Sequence, residues 1–286
     1  MNLQPFEALA FYMLVTAYTL CMVLYLIGLA AKYKPIGCSA TILACIGLAV
    51  NTTLIIERMI ISGHPPLSNG YEFLLTFAWA IMAIYLFIKF RYKLWFLGAF
   101  VTPVPFFLLM FIMMKMSPEE RAVQAIQPAL KSQWLTFHVV TAIVAYGSFA
   151  ISFGLGVMYL LKLRQDNKWN YTLYPSESII SKFPGLDMLD ELSYKVVGFG
   201  FPMLTLCIIT GAIWANYAWG TYWSWDPKET WSLITWIIYA SYLHARFMLG
   251  WKGKRVAWMA VFGFVAVLFT YFGVNYFLPG LHSYAQ

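Results

Sequence analysis

Residues 6–31 read FEALAFYMLVTAYTLCMVLYLIGLAA, with one carboxylate, Glu7, at the start and no other charged side chain. Apolar residues fall on every face of this stretch, so no polar stripe is left to meet water, the pattern of a helix buried in protein or lipid. At 1.5 Å per residue it reaches about 39 Å, more than the roughly 30 Å hydrocarbon layer of a bilayer. The residues before it, Met1 to Glu7, include no Lys or Arg. A cleavable secretory signal starts with a basic segment and has a shorter apolar run, so this stretch reads as a retained helix.

The same pattern recurs along the chain. Further runs extend over about Ile36–Ile61, Tyr71–Phe90, Leu94–Met114, Trp134–Leu161, Val196–Tyr217, Thr230–Leu249 and Val256–Phe277. Eight runs of spanning length predict an all-α, polytopic membrane protein with about eight transmembrane helices in a single domain. Pro103 and Pro105 each remove a backbone donor and are expected to kink the fourth. Composition agrees: of 286 residues, 61% are hydrophobic and 11% charged, against roughly 45–50% and about 25% in soluble domains. Lipid is the solvent such a chain requires.

The formal charge of +7 then reads as loop orientation and excludes a nucleic-acid role. Lys32, Lys34, Lys89, Arg91, Lys93, Lys162, Arg164, Lys168, Lys182, Lys195, Arg246, Lys252, Lys254 and Arg255 fall in one set of loops. They are 14 of the 19 basic residues. Arg58, Lys115, Arg121, Lys131 and Lys228 fall in the other set. The excess marks the cytoplasmic side, which places both termini outside it. Two connections are long. The outer one, residues 115–133, contains SPEER, where Ser117 is suited to cap a short helix from Pro118. The inner one, residues 162–194, is mixed in charge and reads as a cytoplasmic loop with one short helix. Cys21, Cys38, Cys45 and Cys207 lie in apolar runs without a CxxC spacing, so they read as small packing residues and not as a redox or metal centre.

Chemistry concentrates in residues 219–231, WGTYWSWDPKETW, between the sixth and seventh runs. Four of the chain's 12 tryptophans, Trp219, Trp223, Trp225 and Trp231, stand here with Gly220, Tyr222, Asp226 and Glu229. Indoles at the headgroup level form aromatic belts, but a belt spreads its rings over many helix ends. A cluster in one loop, rimmed by charge, also reads as a platform for a large planar ligand.

The pattern WGxxWxWDxxE resembles the tryptophan-rich "WWD" signature of haem-handling membrane proteins. That family includes the CcsA/ResC proteins of type II cytochrome c assembly and the CcmC and CcmF proteins of type I. Length and number of spans are most similar to CcsA/ResC. The resemblance implies binding of haem b on the 219–231 loop and presentation of it to the CxxCH segment of an apocytochrome c. The chain would be a subunit of a thioether-forming haem lyase with a ResB/CcsB-like membrane partner. It implies a bacterial inner membrane or thylakoid membrane, with the loop on the extracytoplasmic or lumenal face. A CcmC-type delivery of haem to a carrier is the neighbouring alternative. A di-haem electron-transfer subunit requires paired histidines at matching depths, and a solute transporter usually shows broken helices and internal repeats; neither pattern stands out.

The chain has four histidines: His64, His138, His244 and His282. Haem iron takes axial ligands on opposite faces, and imidazole is a common one. The resemblance makes His138 and His282, at the outer ends of the fifth and eighth runs, the pair flanking the loop. His244 lies about 14 residues into the seventh run, at roughly 20 Å of rise. An ionisable residue at that depth is a functional candidate; the resemblance makes it an intramembrane haem ligand whose opposite ligand comes from the partner subunit. Each histidine also has a bland reading as a solvated or neighbour-bonded polar residue. His64, Arg58 and Glu72 lie between the second and third runs. They are candidates for shaping the cavity or meeting haem propionates, Arg58 foremost because guanidinium pairs well with carboxylate. No nucleophile or acid–base pair stands out, so catalysis is expected to rest on positioning.

Overall fold

The computed structural model describes residues 5–31, 34–124, 126–169 and 179–278. Eight long helical rods follow one another: α1 (Pro5–Ala31), α2 (Lys34–Ser62), α3 (Gly70–Tyr92), α4 (Trp95–Lys115), α5 (Gln133–Trp169), α6 (Leu186–Trp219), α7 (Pro227–Met248) and α8 (Lys254–Phe277). No strand occurs among the described residues. Seven rods are long and apolar enough to cross a membrane. The remaining one, α7, has the length at 22 residues but carries Lys228, Glu229, His244 and Arg246, which lower its apolarity. This is a multi-pass membrane protein.

Several details follow from local chemistry. α4 is segmented at Thr102, as Pro103 and Pro105 require: a 3₁₀ turn leads into Gly98–Val101, and Pro103–Lys115 follows. The chain still holds together there through Thr102 N–H to Gly98 O and Phe106 N–H to Thr102 O. Ser117 caps the one-turn helix Pro118–Arg121 in a capping box with Glu120. The expected 162–194 loop is shorter than its composition suggested. α5 continues to Trp169 and α6 starts at Leu186. Charged residues spaced i,i+4, Lys162 with Asp166 and Glu191 with Lys195, support a helix that has left the apolar layer.

α5 is the central rod, packed along α6 and against α3 and α8; α1 and α2 pair at one side. Bonds between hydroxyls join the rods inside the bundle: Ser152 to Ser193 at 3.0 Å, Thr235 to Thr270 at 3.0 Å, and Tyr25 to Thr41 at 2.8 Å. Where lipid removes the hydrophobic drive between helices, such bonds and close ring packing hold them together. Phe149 and Tyr239 stack at 3.6 Å across α5 and α7.

Each end of the bundle has a buried ionic clamp. At one, Arg58 of α2 joins Glu7 of α1, Glu72 of α3 and the Ala122 carbonyl. At the other, Arg246 of α7 pairs with Asp190 of α6, whose other oxygen accepts from Gly253 N–H at 2.9 Å. The 219–231 loop lies at the Arg58 end, and so do both ends of the described chain, since Tyr271 of α8 donates to the Gly70 carbonyl there.

Candidate functional site

The loop is built by its ends. α6 stops at Trp219 because Gly220 takes a left-handed conformation, φ 80°, and its N–H closes on Asn216 O at 2.9 Å. α7 starts at Pro227, with Asp226 as N-cap in a capping box with Glu229. Glu229 Oε2 accepts from the N–H of Ser224 (2.7 Å) and Asp226 (3.2 Å), and Asp226 Oδ1 accepts from Lys228 N–H (2.9 Å). The two acidic residues of the motif therefore fold the loop. Trp225, just before Asp226, has φ 60°, a conformation a bulky residue adopts only when its surroundings impose it.

The four tryptophans divide. Trp219 and Trp223, with Tyr222, line a cavity of about 540 Å³. Trp225 turns outward, 69% exposed, with its ring edge-on to Trp223 at 5.7 Å. Trp231 packs at 4.1 Å on Phe269 of α8. The cavity falls in the usual size range of small-molecule sites and lies between α3, α5, α6 and the ends of α7 and α8. Its depth follows from the helices: from Leu135 to Tyr146 along α5, roughly 16 Å. A segment of the 115–133 connection, including Gln124, Gln127 and Leu130, crosses its rim. Two bonds hold that segment: Arg58 to Ala122 O and Trp214 Nε1–H to Ala129 O, both near 3 Å.

His138 of α5 is in the cavity wall. Its Nδ1 lies 2.7 Å from the Cys207 carbonyl oxygen of α6. A carbonyl only accepts, so Nδ1–H is the donor and Nδ1 carries a proton. Donation of one ring N–H to a backbone carbonyl is a common way of orienting a metal-ligating histidine. Trp214 lies nearly parallel to the ring, 18° between planes at 6.3 Å. Gly211 makes room for it: a Cβ there would lie 2.6 Å from Nδ1.

The other expected site residues lie elsewhere. His282 is outside the described residues. His244 is exposed on the outward stripe of α7 with Ile237 and Ser241, away from the cavity. Arg58, Glu72 and His64 do not line the cavity. Arg58 is buried and occupied by Glu7, Glu72 and Ala122, so it stabilises the rim and leaves a ligand carboxylate to another residue. His64 Nδ1 donates to the Pro65 carbonyl at 2.9 Å, a local turn contact. Residues that sequence reasoning passed over take their places: Cys207, Gly211 and Trp214 around His138, Lys228, and Tyr271. Tyr271 belongs to a π-helical turn, Phe269–Gly273, that places Thr270 and Tyr271 in the wall. Of these, only Lys228 had a visible signal, as a charge inside an aromatic motif.

A multi-pass helical bundle with an aromatic-rimmed, histidine-bearing cavity at one end defines a membrane protein with a site of small-molecule size near one end of its helices. The cytochrome C assembly protein family matches residues 67–282 of this sequence. Curated cytochrome c biogenesis proteins CcsA are similar over most of their length. The one from Guillardia theta is 42% identical over 260 residues, 87% of this chain and 85% of its own. The one from Gloeobacter violaceus is 36% identical over 310 residues, 91% and 90%. The chain belongs to the cytochrome c assembly family, and its role is in cytochrome c biogenesis. Among solved structures, the cytochrome c heme lyase CcmF shares the fold with a TM-score of 0.68 at 15% identity, over 92% of this chain; this chain spans 46% of that one.

Proposed function

We propose that the cavity holds haem b by its iron and presents it for covalent attachment to the CxxCH segment of an apocytochrome c, with a ResB/CcsB-like membrane subunit as partner. The observation that carries this reading is His138: an imidazole whose Nδ1–H is held by the Cys207 carbonyl, in the wall of a cavity rimmed by Trp219, Tyr222 and Trp223. The donor set fits the cargo. With Nδ1–H turned to the carbonyl, Nε2 is the nitrogen that would meet iron, and the indoles offer flat apolar faces to a macrocycle.

Haem supplies two vinyl groups, and each cysteine thiol of CxxCH adds across one of them, its proton going to the other vinyl carbon. The chain's own residues hold and orient. His138 and His282 are the proposed axial pair; Trp219 and Trp223 face the macrocycle; Gly220, Asp226 and Glu229 keep the loop in shape; Trp225 is turned outward. Holding two reactants in place is worth about 7–11 kcal/mol of barrier in favourable cases. His244, on the outward stripe of α7, suits a ligand shared with the partner subunit on the route from the cytoplasm. The membrane is bacterial or thylakoid, with the tryptophan loop on the extracytoplasmic or lumenal side, as the distribution of basic residues supports.

The test is purification of the full chain with its partner, followed by a pyridine haemochrome spectrum. His138→Ala is expected to lose most of the bound haem, and added imidazole to restore part of it. Full haem content and normal cytochrome c maturation in His138→Ala would overturn the assignment.

A further inference from the structure

With Arg58 enclosed in its clamp, the cavity has another cation. Among the described lining residues, Lys228 is the one Lys or Arg. It stands in the first turn of α7, its Nζ 2.9 Å from Asn275 Oδ1 of α8 and 6.0 Å from the Tyr271 ring centroid. Ser232 and Thr270 line the cavity with it, and Ser68 and Asn69 add polar groups at the start of α3. Leu135, Val139, Ala142, Ile208 and Ala212, from α5 and α6, supply an apolar wall. The cavity thus has a cationic, hydroxyl-bearing region and a hydrocarbon region. The one carboxylate among the lining residues, Glu229, uses Oε2 to accept from the loop. Asp226, at the foot of α7, acts on Lys228 electrostatically, and a carboxylate delivered with the ligand would add a charge-assisted partner on the cavity side.

We propose that Lys228, steadied by Asn275, is the carboxylate anchor of this cavity. The ligand class it selects is a flat apolar body with an acid group at one edge. The inference rests on the haem reading and adds to it the orientation of the cargo: the propionate edge seats at Lys228, and the opposite edge, toward the vinyls, points away from it. Arg58, the sequence's first candidate for this task, stabilises the rim instead.

The experiment compares haem with haem dimethyl ester, in which both acids are capped, on the full chain with its partner in detergent. Binding is read from the visible spectrum. Micelles partition the two porphyrins differently, so the quantity of interest is the change in the acid-to-ester affinity ratio on substitution. Lys228→Met is expected to lower that ratio about tenfold or more while leaving ester affinity near that of the parent; Lys228→Arg is expected to retain most of it. His138→Ala serves as the reference, lowering affinity for both porphyrins alike. Retained ester binding shows that the Lys228→Met cavity is folded. An unchanged ratio in Lys228→Met overturns the anchor and leaves the haem reading intact. Failure of the parent chain to bind either porphyrin overturns both.

Discussion

Replacing Gly211 by alanine tests the geometry around His138 with a single methyl group. The added Cβ would lie 2.6 Å from His138 Nδ1 and 2.7 Å from Cε1, short of the 3.4 Å of ordinary contact by about 0.8 Å. Both partners are helix-borne, so the ring is the part that gives. A shift of that size takes the Nδ1–H bond to the Cys207 carbonyl from 2.7 Å to beyond hydrogen-bond range. It also removes the contact that orients the ring. Loss of an outer partner of a metal-ligating histidine typically lowers affinity 10- to 100-fold, about 1.4–2.7 kcal/mol. Fold stability should change much less, because alanine's helix preference of about 1 kcal/mol over glycine offsets part of the crowding. The assay is haem titration of the purified complex by absorbance, with thermal unfolding in parallel. Gly198→Ala, on the same helix with no atom within 4 Å of the new methyl, is the control and should leave haem affinity unchanged. Parental haem affinity in Gly211→Ala would refute the claim that α6 sets the state of His138.

Two further substitutions probe the frame around the cavity. Arg58→Met leaves Glu7 and Glu72 buried without their cation and should destabilise the fold by about 3–5 kcal/mol; adding Glu7→Gln should recover part of this, and an unchanged unfolding midpoint would show that the clamp is dispensable. Asp226→Ala removes the N-cap of α7 and should cost about 0.5–2 kcal/mol. Quenching of tryptophan fluorescence by acrylamide should rise as Trp223 becomes more accessible, and equal quenching would argue that the loop is held by its indoles alone.

Much of this protein is legible before folding. Runs such as residues 6–31 can be stable only in lipid or in a core, and a 286-residue chain with eight of them has no room for a core that large. The ends of the tryptophan loop fall a few residues inside the gap between the apolar runs, because Gly220, Asp226, Pro227 and Glu229 act on their own backbone neighbours. The limits of α5 and α6 were misjudged because charged residues outside the apolar layer can extend a helix when spaced four apart. A hydropathy run marks where lipid contact stops, not where the hydrogen-bond ladder does.

Sequence by itself determined the helical class and the approximate number of rods, since helix periodicity, capping and apolarity are properties of neighbours in the chain. Tertiary structure alone decided which residues meet. His138 finds its carbonyl partner 69 residues away on α6, and Gly211 matters only because α5 lies against it. Arg58 and Lys228 are both cations near the same end of the bundle. What separates their tasks is the side each presents, one closed in by two carboxylates and the other in the cavity wall, and that depends on how rods distant in sequence pack.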